Sequence, residues 1–223
     1  MPEFDAFSQR YTHILDQCIS FSGEGTEYFA ENKALYIARA LAPSFSGRVL
    51  DYGCGIGLLA KSLLRLLPGA RVDGYDISAA SLREVDPELA GLGRFTDNTE
   101  ELRSDYDLIL VANVMHHIDP RDRPATFRAL KERLVPGGRL MVFEHNPYNP
   151  LTRWIVKHCA FDKDAVLLSS RETLRHMAAA GFMSLRRDYI TFMPGFLSSL
   201  RPWEAHLGWC PLGAQYAAVG RLP

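Results

Sequence analysis

The segment Val49-Leu-Asp-Tyr-Gly-Cys-Gly-Ile-Gly57 constrains this chain most, because it sets an acidic residue and three alternating glycines between a short strand and a helix. The strand reads Arg48 to Tyr52 and breaks at Gly53. After the turn, leucines at 59, 63, 66 and 67 fall on one face of a helix. Glycine lets a ligand approach the backbone where no Cβ intervenes, and it permits positive φ in a sharp strand-to-helix turn. The following helix begins with unpaired N–H groups. This is the layout of a nucleotide-type pocket, although a bare glycine turn does not name the ligand.

Beyond the turn, strands alternate with helices. Arg71 to Tyr75, Tyr106 to Ala112 and Arg139 to His145 read as strands. A helix over Arg123 to Leu134 carries Phe127, Leu130 and Leu134 on one side, and Pro136-Gly-Gly138 ends it. Alternation of this kind predicts an α/β protein with a doubly wound, mostly parallel sheet covered by helices on both faces. The tail departs from it: a helix over Arg171 to Ala180 is followed by strands over Ser184 to Phe192 and Ala214 to Val219 with no regular crossover between them. That connection suits an antiparallel C-terminal strand.

At 223 residues the chain fits one domain, and 47% hydrophobic with 23% charged residues is ordinary for a globular protein. A net charge of -1 gives no general basic field, so no nucleic-acid partner is expected. Cys18, Cys54, Cys159 and Cys210 form no C-x-x-C pair, which predicts reduced thiols and no metal site. The stretch Met1 to Asp5 lacks the character of a signal peptide, and no apolar run approaches a membrane span. A cytoplasmic protein without stable membrane insertion is the expectation.

Asp76 follows the second strand, about 20 residues beyond the glycine turn, where a carboxylate can hold a ribose diol. That points to an adenosine-containing ligand, and two compete. A nicotinamide dinucleotide would use Gly55-Ile-Gly57-Leu-Leu-Ala60 as G-x-G-x-x-A, but this leaves Asp51 and Gly53 without a role and puts a carboxylate beside a pyrophosphate. S-adenosylmethionine carries a sulfonium, an ammonium and a carboxylate but no phosphate. An acid in the turn then makes electrostatic sense.

Asp51-x-Gly53-x-Gly55-x-Gly57, Asp76, the run Tyr106-Asp-Leu-Ile-Leu-Val-Ala-Asn-Val-Met-His-His-Ile118 and the run Leu134-Val-Pro-Gly-Gly-Arg-Leu-Met-Val142 together resemble the class I S-adenosylmethionine-dependent methyltransferases, over roughly residues 45 to 145. The resemblance implies a Rossmann-like fold, with a methyltransferase domain over 46–223, substrate-side insertions near 146–170 and 194–212, and an N-terminal helical lid over 1–45. It further implies that Gly53, Cys54, Gly55 and Gly57 pack on the methionine part of the cofactor, with Asp51 beneath. Asp76 would hold the ribose, Ile77 the adenine ring, Asp97 and Asn98 the adenine amino group, and Asn113 would complete the site.

His116 and His117 follow the fourth strand, beside the expected methyl position. A histidine titrates near neutral pH and can take a proton from a hydroxyl or amine as the methyl moves. Adjacent side chains point in different directions, so one of the pair, His117 by preference, is expected to face the acceptor. Glu144, His145 and Asn146 leave the fifth strand on the same edge of the sheet, and Tyr11 and Arg153 could reach the acceptor from the lid and the first insertion. The segment Asn146-Pro-Tyr-Asn-Pro150 is similar to the Asn-Pro-Pro-Tyr element of amino methyltransferases, but it follows the wrong strand and reads as a loop. Aromatic residues in 194–212 could cover an apolar substrate, form a homodimer contact or simply pack.

The reading is methyl transfer to a small organic acceptor, with oxygen as the expected target. Alternatives are N- or C-methylation of a small molecule or lipid-like precursor, a nicotinamide-dependent oxidoreductase, and a catalytically inactive methyltransferase-like binding protein.

Overall fold

The computed structural model describes residues 23–42 and 44–223. Helix α1 (Thr26–Ala40) precedes β1 (Arg48–Tyr52), α2 (Leu58–Leu66) and β2 (Arg71–Tyr75). Two short helices, α3 (Ala79–Arg83) and α4 (Pro87–Leu92), lead to the two-residue β3 (Phe95–Thr96). Then come β4 (Tyr106–Ala112), α5 (Arg123–Glu132), β5 (Leu134–His145), α6 (Pro150–His158), α7 (Ser170–Ala180), β6 (Met183–Ile190) and β7 (Gln215–Arg221). The sheet order is β3-β2-β1-β4-β5-β7-β6, with β7 antiparallel to both β5 and β6 and the other pairings parallel. The expected doubly wound sheet with an antiparallel C-terminal strand is thus observed.

Alternation along the strands builds two cores. Ile109 and Val111 of β4 face Phe127 of α5 and Met177 of α7. Leu108 and Leu110 face the other way, with Ile37 of α1 and Leu63 of α2. Burial on both faces is why these strands read as continuous apolar runs, whereas a half-exposed strand would alternate.

Several boundaries follow from local chemistry. Asn149 caps α6 by accepting from the Thr152 amide, with Pro150 at the first helical position. Ser169 caps α7 in the same way through Glu172, and Gly181, at φ 94°, ends it. The stretch Pro136 to Gly138 belongs to β5, which pairs with Tyr106 from Leu134 onward across a register shift; α5 therefore stops at Glu132. Pairing with β4 inside the sheet overrides the turn that proline and glycine suggest.

Among the described residues no helix is long and apolar enough to cross a membrane. Cys54 and Cys210 are free thiols, but Cys159 is disulfide-bonded, which corrects the expectation of four reduced cysteines.

Candidate functional site

The sheet reverses its winding between β1 and β4, and ligands of open α/β sheets bind at such a switch, beyond the carboxyl ends of the strands. There the structure opens a cavity of about 570 Å³. That volume suits small-molecule ligands. Its walls come from the ends of β1, β2, β4 and β5, from α1, and from the 191–196 segment after β6. Helix α1 is fastened to that segment and to β6: Asn32 donates to the Thr191 hydroxyl at 2.9 Å, and the Tyr36 hydroxyl donates to Asp188 at 2.5 Å. Thr191 itself holds φ at 62°, a strained value for a β-branched residue.

One end of the cavity is built by the glycine turn. The Gly53 and Cys54 amides both donate to the Tyr75 carbonyl, at 2.7 and 2.9 Å. Asp76 accepts from the Gly55 amide at 2.7 Å through one oxygen and from the Ser78 amide at 2.9 Å through the other, so it shapes the loop that it flanks. Gly53 has φ 82°, and a Cβ there would lie 2.1 Å from Val114 Cγ2. Only glycine fits, because both the backbone angle and the space forbid a side chain.

Asp51 is buried against this turn. Its Oδ2 meets no hydrogen-bond partner, and burial followed by the charge of Asp76 pushes its carboxyl up to about 7. Lys33 of α1 is also buried and lines the cavity, and burial draws its ammonium down to about 8 despite Glu144 and Asp51 nearby. An orphaned carboxylate oxygen on a residue that lines a cavity is an acceptor awaiting a ligand donor. The ammonium of an amino-acid moiety is such a donor, so the residues fit the methionine end of S-adenosylmethionine.

A neighbouring wall is built by the turn Met115–His117 after β4. Glu144 is wholly buried beneath it and accepts from the Val114 amide at 3.0 Å and the Met115 amide at 2.7 Å. Its second oxygen stands 2.5 Å from His116 Nδ1. Nε2 of the same imidazole lies 3.3 Å from Asp162 Oδ1, and His117 Nε2 lies 3.5 Å from that oxygen. Burial alone would depress His116, but Glu144 and Asp162 outweigh it and hold the imidazole up at about 9. Burial and the charge on His116 instead draw His117 and His145 down to about 4. Arg123, buried at 1% exposure, fixes the turn by donating to the Met115 and Ile118 carbonyls, and it pairs with Glu172 at 3.0 Å.

Of the residues singled out in the sequence, Asp51, Gly53, Cys54, Gly55, Asp76, Ile77, Asn113, His116, His117 and His145 line the cavity. Gly57 stands just behind it, at φ 82° before α2. Asp97 and Asn98 are exposed outside the lining, where the Asn98 side chain caps the turn Thr99–Glu101. Glu144 and Asn146 lie behind the wall: Glu144 holds the histidine turn, and Asn146 donates to the Pro211 and Gly213 carbonyls. Arg153 is exposed on α6, away from the cavity. Tyr11 lies outside the described residues.

Three participants escaped the sequence reading. Lys33 left a trace, since it shares the buried face of α1 with Ala30, Ala34 and Ile37, where a lysine breaks the apolar pattern. Arg123 and Asp162 left none, because each is recruited by contacts distant in sequence.

A family model described as a methyltransferase domain matches residues 50–140. The ubiquinone/menaquinone biosynthesis C-methyltransferase of Syntrophotalea carbinolica is 30% identical over 158 residues, which cover 67% of this chain and 63% of that protein. The mitochondrial ubiquinone biosynthesis O-methyltransferase of Schizosaccharomyces pombe is 33% identical over 109 residues, covering 44% and 38%. The chain thus spans less than two thirds of the length of these curated relatives. In fold it is similar to a SAM-dependent methyltransferase from Archaeoglobus fulgidus, with a TM-score of 0.72, 12% identity and coverage of 95% of this chain and 99% of that one. Phosphoethanolamine N-methyltransferase 2 of Haemonchus contortus, solved with S-adenosyl-L-methionine, gives a TM-score of 0.67 at 16% identity, covering 100% and 60%.

Proposed function

We propose that this chain, as a member of the class I S-adenosylmethionine-dependent methyltransferase family, moves the methyl group of S-adenosylmethionine to a small organic acceptor, at oxygen. The observation that carries the reading is the meeting of two features in one cavity. An acidic glycine turn with an orphaned Asp51 oxygen forms one wall, and a pair of imidazoles after β4 forms the wall beside it. The first wall favours a cofactor with an ammonium over one with a pyrophosphate. The second receives an acceptor hydroxyl, whose proton must leave as the methyl arrives. Asp76 holds the ribose in this reading, with Asn113 and Ile77 beside it.

The methyl of a sulfonium is already activated, so most of the rate comes from holding the acceptor oxygen in line with the C–S bond. Closure by α1 and the 191–196 segment excludes water and limits the acceptor to a small molecule. A second reading is methylation of a ring carbon in a lipid-like precursor. It is supported by the C-methyltransferase relative and by Phe161, Phe192 and Phe196 at the cavity wall.

The test is calorimetry with S-adenosylhomocysteine and with NADH, followed by detection of S-adenosylhomocysteine release in the presence of hydroxylated and phenolic compounds. Cofactor binding with turnover of a hydroxyl compound is expected, and His117→Ala should slow that turnover while keeping cofactor affinity. Binding of NADH in place of S-adenosylhomocysteine would overturn the reading.

A further inference from the structure

We infer that His116, His117 and Asp162 form a binding site for one divalent transition-metal ion at the acceptor end of the cavity. The inference rests on the methyl-transfer reading only for the identity of the group that meets the ion; the site itself stands on its own geometry.

Three ligand atoms converge there from two separate elements. His116 Nε2 and His117 Nε2 lie 3.3 and 3.5 Å from Asp162 Oδ1, and the three donor atoms all lie within 4.8 Å of one another. Ligands disposed tetrahedrally at about 2 Å from an ion stand about 3.3 Å apart, so both nitrogen-to-carboxylate spacings already match and only the two imidazoles have to close on the ion. Among the described residues no other group of three such side chains comes together in this way.

The surroundings point the same way. His116 presents its other ring nitrogen to Glu144 at 2.5 Å, and Glu144 is itself held by two backbone amides. A metal-ligating histidine commonly donates its second ring N–H to a carboxylate, which orients the ring, and an ion bound at Nε2 replaces the proton shared with Asp162 there. Glu144 and Asp162 are 0% and 10% exposed, so two carboxylates share a buried cluster. A divalent ion compensates that charge where solvent cannot.

Two imidazoles and one carboxylate suit zinc or another first-row divalent ion and leave a coordination position open. All three residues line the cavity, so the open position faces the acceptor. The chemical class that fits it is an oxygen ligand, a hydroxyl or a phenol. On coordination the hydroxyl loses its proton to solvent. The oxygen then forms its bond to the methyl carbon, and the C–S bond breaks with its electron pair staying on sulfur. The imidazole pair acts on the acceptor as ligands to the ion in this account, which deepens the role given to it above.

Untagged protein freed of metal by chelator dialysis is to be titrated with Co²⁺ and followed by visible absorption, with Zn²⁺ as competitor and S-adenosylhomocysteine calorimetry run in parallel. The expected result is one ion per chain, displaced by Zn²⁺, with affinity lowered roughly tenfold or more in both His117→Ala and Asp162→Asn. Cofactor binding should persist in these variants and show that they are folded. Absence of a saturable Co²⁺ spectrum in wild-type protein that still binds S-adenosylhomocysteine overturns the metal site and leaves the methyl-transfer reading standing. Unaltered Co²⁺ affinity in both variants overturns it too, as binding elsewhere. Loss of S-adenosylhomocysteine binding in a wild-type protein that still takes up one Co²⁺ would instead strike the methyl-transfer reading alone.

Discussion

Oε1 of Glu144 accepts from the Met115 amide at 2.7 Å while Oε2 stands 2.5 Å from His116 Nδ1, so one buried carboxylate sets both the path of the turn after β4 and the orientation of its first imidazole. Such a carboxylate positions the histidines from behind the cavity wall without meeting the acceptor. The same division between residues that touch the ligand and residues that hold them in place runs through the site.

Asp76, proposed to hold the ribose, also braces the glycine loop. Asp76→Ala should weaken S-adenosylmethionine binding by roughly tenfold, about 1.4 kcal/mol, in calorimetry. Unchanged affinity would remove its ribose role.

Asp51 ties cofactor binding to pH. Its carboxyl titrates at about 7 in the folded chain, against an ordinary value of 3.8, because burial and Asp76 penalise its charge. A ligand ammonium beside it favours the charged form, so binding near pH 6 should release a proton, and affinity should rise with pH up to about 7 and then level off. Stability of the ligand-free chain takes the opposite sign: the contribution of Asp51 is fully present below its unfolded value and is lost as pH rises through about 7. Calorimetry in buffers of different ionisation enthalpy reads the proton. A pH-independent affinity, or a slope that survives in Asp51→Asn, would refute the assignment.

Arg123 is a buried cation whose donors serve the carbonyls of Met115 and Ile118 and the carboxylate of Glu172. Arg123→Ala leaves those acceptors without partners and should cost about 3 kcal/mol in urea unfolding. Arg123→Lys should recover only part of this, since an ammonium lacks the fork that spans these three acceptors and the Val166 carbonyl as well. Full stability in the alanine variant would show that the turn is held by other contacts.

Gly53→Ala combines a left-handed backbone with a methyl 2.1 Å from Val114 Cγ2. The expected loss is about 2 kcal/mol of stability. Cofactor affinity should fall with it, because the clash pushes the glycine turn against the start of the histidine turn. Thermal unfolding and calorimetry on the same preparation would check both, and a variant as stable as the parent would contradict the packing described here.

The sequence by itself determined six of the seven strands, their alternation with helices along the chain, and the glycine turn with Asp51 and Asp76. These are local signals. A strand buried on both faces must be apolar throughout, and a turn at φ 82° with no room for a Cβ must be glycine, so neighbouring residues record them. Tertiary structure alone decided which polar side chains share the cavity. Asn98, Asn146 and Arg153 have the chemistry of ligand contacts, yet capping, loop carbonyls and solvent claim them. Asp162 joins His116 across a sequence separation of 46 residues, and Arg123 reaches Glu172 across 49. Neither meeting leaves a periodicity or a spacing in the chain. It exists only because β4 and β5 lie side by side and bring the segments after them to one edge of the sheet, where low dielectric makes every buried charge seek a partner.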